Sequence, residues 1–68
     1  MIRPTAQHSA ENLLDEGNRR LADNDFPAAI TAYQSALGLN PRIVEAAYNC
    51  GVAFQKQGHL EGAIDCYN

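Results

Sequence analysis

The chain is predicted to be all-α, built of antiparallel helix-turn-helix repeats stacked as an α-solenoid, about four helices with the last one truncated. Three observations predict this. First, residues recur at an offset of 34: Gly17 with Gly51, Phe26 with Leu60, Ala29 with Ala63, Ile30 with Ile64 and Tyr33 with Tyr67. Second, the recurring residues follow the i, i+3, i+4, i+7 rhythm of a single helix face, so the repeated positions are those a helix buries. Third, no segment alternates with period two, and no strand is expected.

In chain order, Ser9 is the expected cap of a first helix carrying Leu13, Leu14, Gly17 and Leu21, which closes in the turn-forming "DND" at Asp23 to Asp25. Asp25 is expected to cap a second helix from Phe26 to Leu39, with Pro27 in the first turn, where a missing N–H costs nothing. Its core stripe is Phe26, Ala29, Ile30, Tyr33, Ala36 and Leu37. Asn40-Pro41 stops it, because the residue before proline is driven out of the helical region. Ile43, Ala46, Ala47, Cys50, Gly51 and Phe54 form a third stripe, ended by Gly58 as a left-handed cap. A fourth helix starts near Leu60 with Leu60, Ala63, Ile64 and Tyr67 on its buried face. Gly17 and Gly51 each cost about 1 kcal/mol against alanine inside a helix. Their shared place in the two units predicts close helix approach there, with Ala29 and Ala63 opposite.

Sixty-eight residues make one small domain in which a deep catalytic cavity is not expected. Five Lys and Arg against eight Asp and Glu give a net charge of -3, which offers no basic surface to nucleic acid or anionic lipid. No leader pattern or long apolar run is present, so the chain is expected to be soluble and cytoplasmic. Cys50 and Cys66 fit two small buried apolar residues in a reducing compartment, with a disulfide left open should their helices face each other.

Signatures of catalysis are missing: no G-x-S-x-G, phosphate-binding loop, G-x-G-x-x-G or H-E-x-x-H occurs. Ser9 and Ser35 have no recognisable His and Asp partners. The nine- and seven-residue spacings of Cys50, His59 and Cys66 are unlike paired zinc ligands. A calcium loop starting at "DND" fails, since Ala28 stands at its obligatory glycine and Gln34 at its closing glutamate. No cofactor or metal is expected.

Gly17, Phe26, Ala29, Tyr33, Ala36 and Pro41 in one unit, then Ala47, Gly51, Phe54, Leu60, Ala63 and Tyr67 in the next, resemble the tetratricopeptide repeat, a 34-residue helix-turn-helix unit. The resemblance divides the chain into a flexible lead (1–9), a first repeat (10–43) and an incomplete second repeat (44–68). It implies a last helix running to about position 73 in a longer array, and an exposed face prone to self-association. Leu13, Glu16 and Arg20 depart from the family pattern and point to an irregular first helix.

The resemblance also implies a concave groove lined by the first helix of each unit. Carried over by position, this is Glu11, Leu14, Asp15, Asn18, Leu21 and Ala22, then Glu45, Tyr48, Asn49, Val52, Gln55 and Lys56. Leu14, Asp15, Asn18, Tyr48, Asn49, Val52 and Lys56 are the candidate peptide-binding residues. Asn18 and Asn49 suit this role because an amide donates and accepts at once, matching a peptide backbone. They also match the two asparagines of the family's carboxylate clamp, but Leu14 stands where the clamp needs its first cation, and the clamp is not expected. The function implied is a noncatalytic scaffold for a protein or peptide partner. The alternative is the partner-recruiting arm of a larger enzyme such as a glycosyltransferase.

Overall fold

The computed structural model describes residues 6–67, and within them lie four α-helices: α1 (Ala6–Ala22), α2 (Phe26–Leu39), α3 (Val44–Lys56) and α4 (Leu60–Tyr67). No strand occurs among the described residues. Each helix packs on the next in sequence, α1 on α2, α2 on α3 and α3 on α4, while α1 also reaches α3. This is the pattern of short-linked antiparallel hairpins stacked side by side.

Two turns close the first helix of each hairpin in the same way. After α1, Asn24 takes φ 62, its N–H bonds Leu21 O at 3.0 Å and the Asp25 N–H bonds Arg20 O at 2.8 Å. After α3, Gly58 takes φ 79, its N–H bonds Gln55 O at 2.9 Å and the His59 N–H bonds Phe54 O at 2.9 Å. Both are Schellman closures, in which a left-handed residue lets two following amides satisfy the last carbonyls of the helix. The turn expected at Gly58 is therefore present, and Asn24 performs the same task 34 positions earlier. Asparagine is tolerated there because its short polar side chain makes the left-handed region accessible.

Two expected caps are not made. Helix α1 already runs from Ala6, which puts Ser9 inside it and makes residues 6–9 helix, not lead; residues 1–5 of that lead lie outside the described range. Asp25 precedes α2 but makes no side-chain cap bond; its backbone carbonyl accepts from Ala29 at 3.0 Å. The His59 carbonyl accepts from Ala63 at 3.1 Å in the equivalent place. Pro27 occupies the first turn, and α2 ends at Asn40 with φ -144, as the following proline requires.

The core is built from Ala29, Ile30, Tyr33, Ala36, Ala46, Cys50 and Ala53, flanked by half-buried Leu13, Phe26, Leu37 and Phe54. Most of its positions are small, which lets the helices approach closely. A Cβ on Gly17 would lie 2.5 Å from the Tyr33 ring, so the partner of this glycine is the Tyr33 face and not Ala29. The same holds for Gly62 of α4, where a Cβ would lie 2.5 Å from Phe54.

Apolar residues of α4 depart from expectation. Ala63 is buried, but Leu60 and Ile64 are 66% and 56% exposed, whereas Ile30, the counterpart of Ile64, is 7% exposed. The reason lies in the neighbours: α2 packs between α1 and α3, while among the described residues the backbone of α4 lies close to α3 alone. The side chain of Tyr67 lies outside the described residues.

Candidate peptide-docking surface

The seven residues singled out from the sequence fall on two adjacent helices. Leu14, Asp15 and Asn18 are on α1, and Tyr48, Asn49, Val52 and Lys56 are on α3. Asp15, Tyr48 and Lys56 are exposed, while Leu14, Asn18, Asn49 and Val52 are half-buried. Tyr48 is the most open aromatic of this surface at 59% exposure.

Asn18 is the junction between them. Its Oδ1 accepts from the Tyr33 hydroxyl at 2.7 Å and from Asn49 Nδ2 at 2.9 Å. Its Nδ2 donates to Glu45 Oε2 at 3.3 Å. Both ends of the Asn18 amide are thus engaged within the protein, tying α1 to α2 and α3 at one point. Tyr33 is fully buried, and its hydroxyl on an otherwise apolar stripe requires such a partner. Burial raises the Tyr33 pKa, the neighbouring Asn49 amide opposes this, and the nearby Glu45 charge adds to the rise. Sequence reasoning placed Tyr33 in the core without assigning its hydroxyl; the available signal was a tyrosine, not a phenylalanine, at a buried position.

The first helix is a continuous α-helix over Ala6–Ala22, and its departures from the repeat pattern lie in its side chains. Glu16 and Arg20 depart from the repeat pattern together, and they bind each other, Arg20 Nε donating to Glu16 Oε2 at 2.6 Å. Arg19 donates to the second oxygen at 2.6 Å. These hydrogen bonds, Arg19 first and Arg20 second, hold the Glu16 carboxyl below its usual range. At the positions where the second unit has Cys50 and Phe54, the first has a solvated ion pair.

A cleft lies elsewhere. Among the described residues the backbones of α2 and α4 do not approach closely, and between them opens a cleft of about 580 Å³ whose walls include Leu37, Val44, Ala47, Phe54 and Cys66. None of the seven candidate residues lines it. Cys50 and Cys66 are both free thiols, with their sulfurs 2.6 Å apart. His59 instead rests against Phe54, with ring centroids 6.2 Å apart. Among the described residues no three His, Cys, Asp or Glu gather as metal ligands, and no helix is long and apolar enough to cross a membrane.

Helix hairpins repeating at 34 residues and closed by the same turn define a helical-repeat protein. The family model described as TPR repeat matches residues 17–58, and the chain belongs to the tetratricopeptide-repeat family. It is 41% identical over 56 residues to small glutamine-rich tetratricopeptide repeat-containing protein 2 of Mycosarcoma maydis, a match covering 82% of this chain and 16% of that protein. It is 38% identical over 60 residues to small glutamine-rich tetratricopeptide repeat-containing protein beta of Homo sapiens, covering 84% of this chain and 19% of that protein. The chain therefore spans less than a fifth of the length of these curated relatives. No solved structure matches it.

Proposed function

We propose that the chain is a noncatalytic protein-docking module that holds an extended peptide or a partner helix against the surface of α1 and α3. The observation that carries this reading is the side-chain bridge from Asn49 to Asn18 at 2.9 Å. It ties the two helices together, and in this reading Tyr48, Val52 and Lys56 of α3 with Leu14 and Asp15 of α1 make up the docking face. A rigid aromatic and neighbouring apolar area are what a docked segment buries most productively. Membership of the tetratricopeptide-repeat family supports a protein partner.

The charges of the face refine the partner. Glu11, Asp15 and Glu45 are exposed acids on it, against the single cation Lys56. With Leu14 in place of the clamp's first cation, an acidic tail is disfavoured and a neutral or basic segment is favoured. The same acidic balance argues against nucleic acid. Two free thiols fit a reducing compartment such as the cytoplasm. A recruiting arm of a larger enzyme would use this face in the same way.

Selection of peptides from a random displayed library against the full chain tests the reading. Selected peptides are expected to lose about tenfold or more in affinity for the Tyr48→Ala, Asp15→Lys double variant. They should bind Gln34→Ala and Asp65→Ala, both on the α2–α4 cleft, as tightly as the parent. The reverse pattern would assign docking to the cleft and overturn the proposal.

A further inference from the structure

Cys50 and Cys66 form a pair placed on neighbouring helices with unequal access to solvent. Cys50, on α3, is fully buried. Cys66, on α4, is half-buried and lines the cleft between α2 and α4. Their sulfurs stand 2.6 Å apart, so closing to the roughly 2.05 Å of a disulfide needs a shift of about half an ångström. No disulfide joins them in this structure.

We propose that Cys66 and Cys50 are a reversible oxidation site, at which hydrogen peroxide entering through the α2–α4 cleft converts the two thiols into an intramolecular disulfide that staples α4 to α3. The sulfurs divide the work by position. Cys66, reached from the cleft, attacks one peroxide oxygen as its thiolate: an S–O bond forms, the O–O bond breaks, and hydroxide leaves to become water. Cys50 then attacks the Cys66 sulfur: the S–S bond forms, the S–O bond breaks, and the departing hydroxide takes the Cys50 proton as a second water. The two sulfurs together lose two electrons, peroxide gains them, and a dithiol reductant reverses the change.

Access and acidity agree on this order. Burial, followed by the hydrogen bond with Cys66, pushes the Cys50 thiol up to about 12, leaving it almost no thiolate with which to meet peroxide directly. As the second nucleophile it gives up its proton to the departing hydroxide as the S–S bond forms, at the short range that the packing of α3 on α4 supplies. The staple has structural weight because, among the described residues, the backbone of α4 lies close to α3 alone. Closing a loop of about 15 residues should lower the population of conformations with α4 detached by on the order of 100-fold.

Intact mass under nonreducing conditions, after a limited dose of peroxide to the full chain, tests the proposal. The expected result is a monomer lighter by two hydrogens, closed to maleimide at both cysteines, restored by dithiothreitol, with amide exchange across residues 60–66 slowed. In Cys50→Ser, Cys66 should stop as a sulfenic acid that dimedone captures. In Cys66→Ser, Cys50 should survive the same dose unmodified; since Cys66 is half-buried, this variant stands even if Cys50→Ser fails to fold. Disulfide-linked dimers in place of the lighter monomer, sulfinic acid on Cys66 without loss of two hydrogens, or both thiols still open to maleimide would overturn it.

Discussion

The Tyr33 hydroxyl donates to Asn18 Oδ1 at 2.7 Å, joining a fully buried side chain of α2 to a half-buried amide of α1 on the candidate docking face. Asn18 is therefore as much a structural residue as a surface one. Asn18→Ala strands the Tyr33 hydroxyl and removes the acceptor of Asn49, and should cost about 1–3 kcal/mol. Tyr33→Phe leaves the Asn18–Asn49 bond in place and should cost about 1 kcal/mol. Urea unfolding of both single variants and the double variant checks this. Additive losses would show that the two side chains are not coupled.

Glycines at helical positions separate by what surrounds them. Gly17→Ala gains helix propensity but drives a Cβ to 2.5 Å from the Tyr33 ring, which is buried and hydrogen-bonded and has little room to yield. A net loss of about 1–3 kcal/mol is expected. Gly38, with nothing within 4 Å of its Cβ position, should gain about 0.5 kcal/mol on change to alanine. Thermal melts of the two variants should move in opposite directions.

Alkaline pH should weaken the fold before acid does. Burial raises the Cys50 thiol from 9.0 to about 12 and raises Tyr33 above 10.0, so the unfolded chain releases these protons first. Stability from both groups is complete below the unfolded pKa values and is lost as pH rises through the folded ones. Glu16 acts oppositely: its lowered carboxyl supports folding at neutral pH and loses that effect in acid, weakly, because the pair is solvated. Melting temperature should fall from pH 8 to pH 11, and Cys50→Ala should flatten part of the decline.

Exposed Leu60 and Ile64 give α4 an apolar face suited to pairing with a second copy. Sedimentation should show concentration-dependent association of the chain, reduced in Ile64→Asp. Equal association by that variant would move the contact to another surface.

How much of this was legible in the sequence differs from residue to residue. The bounds of α2 follow directly from Pro27 and Asn40-Pro41, because proline acts on its own neighbours and needs no tertiary partner. Gly58 was legible for the same reason. Asn24 was not, since asparagine enters the left-handed region only where the following chain must turn back. The close approach at Gly17 was visible as a cost repeated at one offset, but its partner depends on which ring faces it, and Tyr33 was not singled out from Ala29. Asp25 offered a capping side chain that the structure leaves unused. The expected docking residues fall on the neighbouring helices α1 and α3, yet the engagement of Asn18 with Tyr33 and Glu45 came only with the third dimension. The nearness of Cys50 and Cys66 likewise depends on how α4 lies on α3, which a spacing of sixteen does not fix.

Amide shift mapping with a selected peptide tests most directly the claim that α1 and α3 form the docking face. The account predicts shifts at Asp15, Tyr48, Val52 and Lys56, with little change at Leu37, Gly62 and Asp65. Shifts confined to those last three, with the α1–α3 face silent, would contradict it.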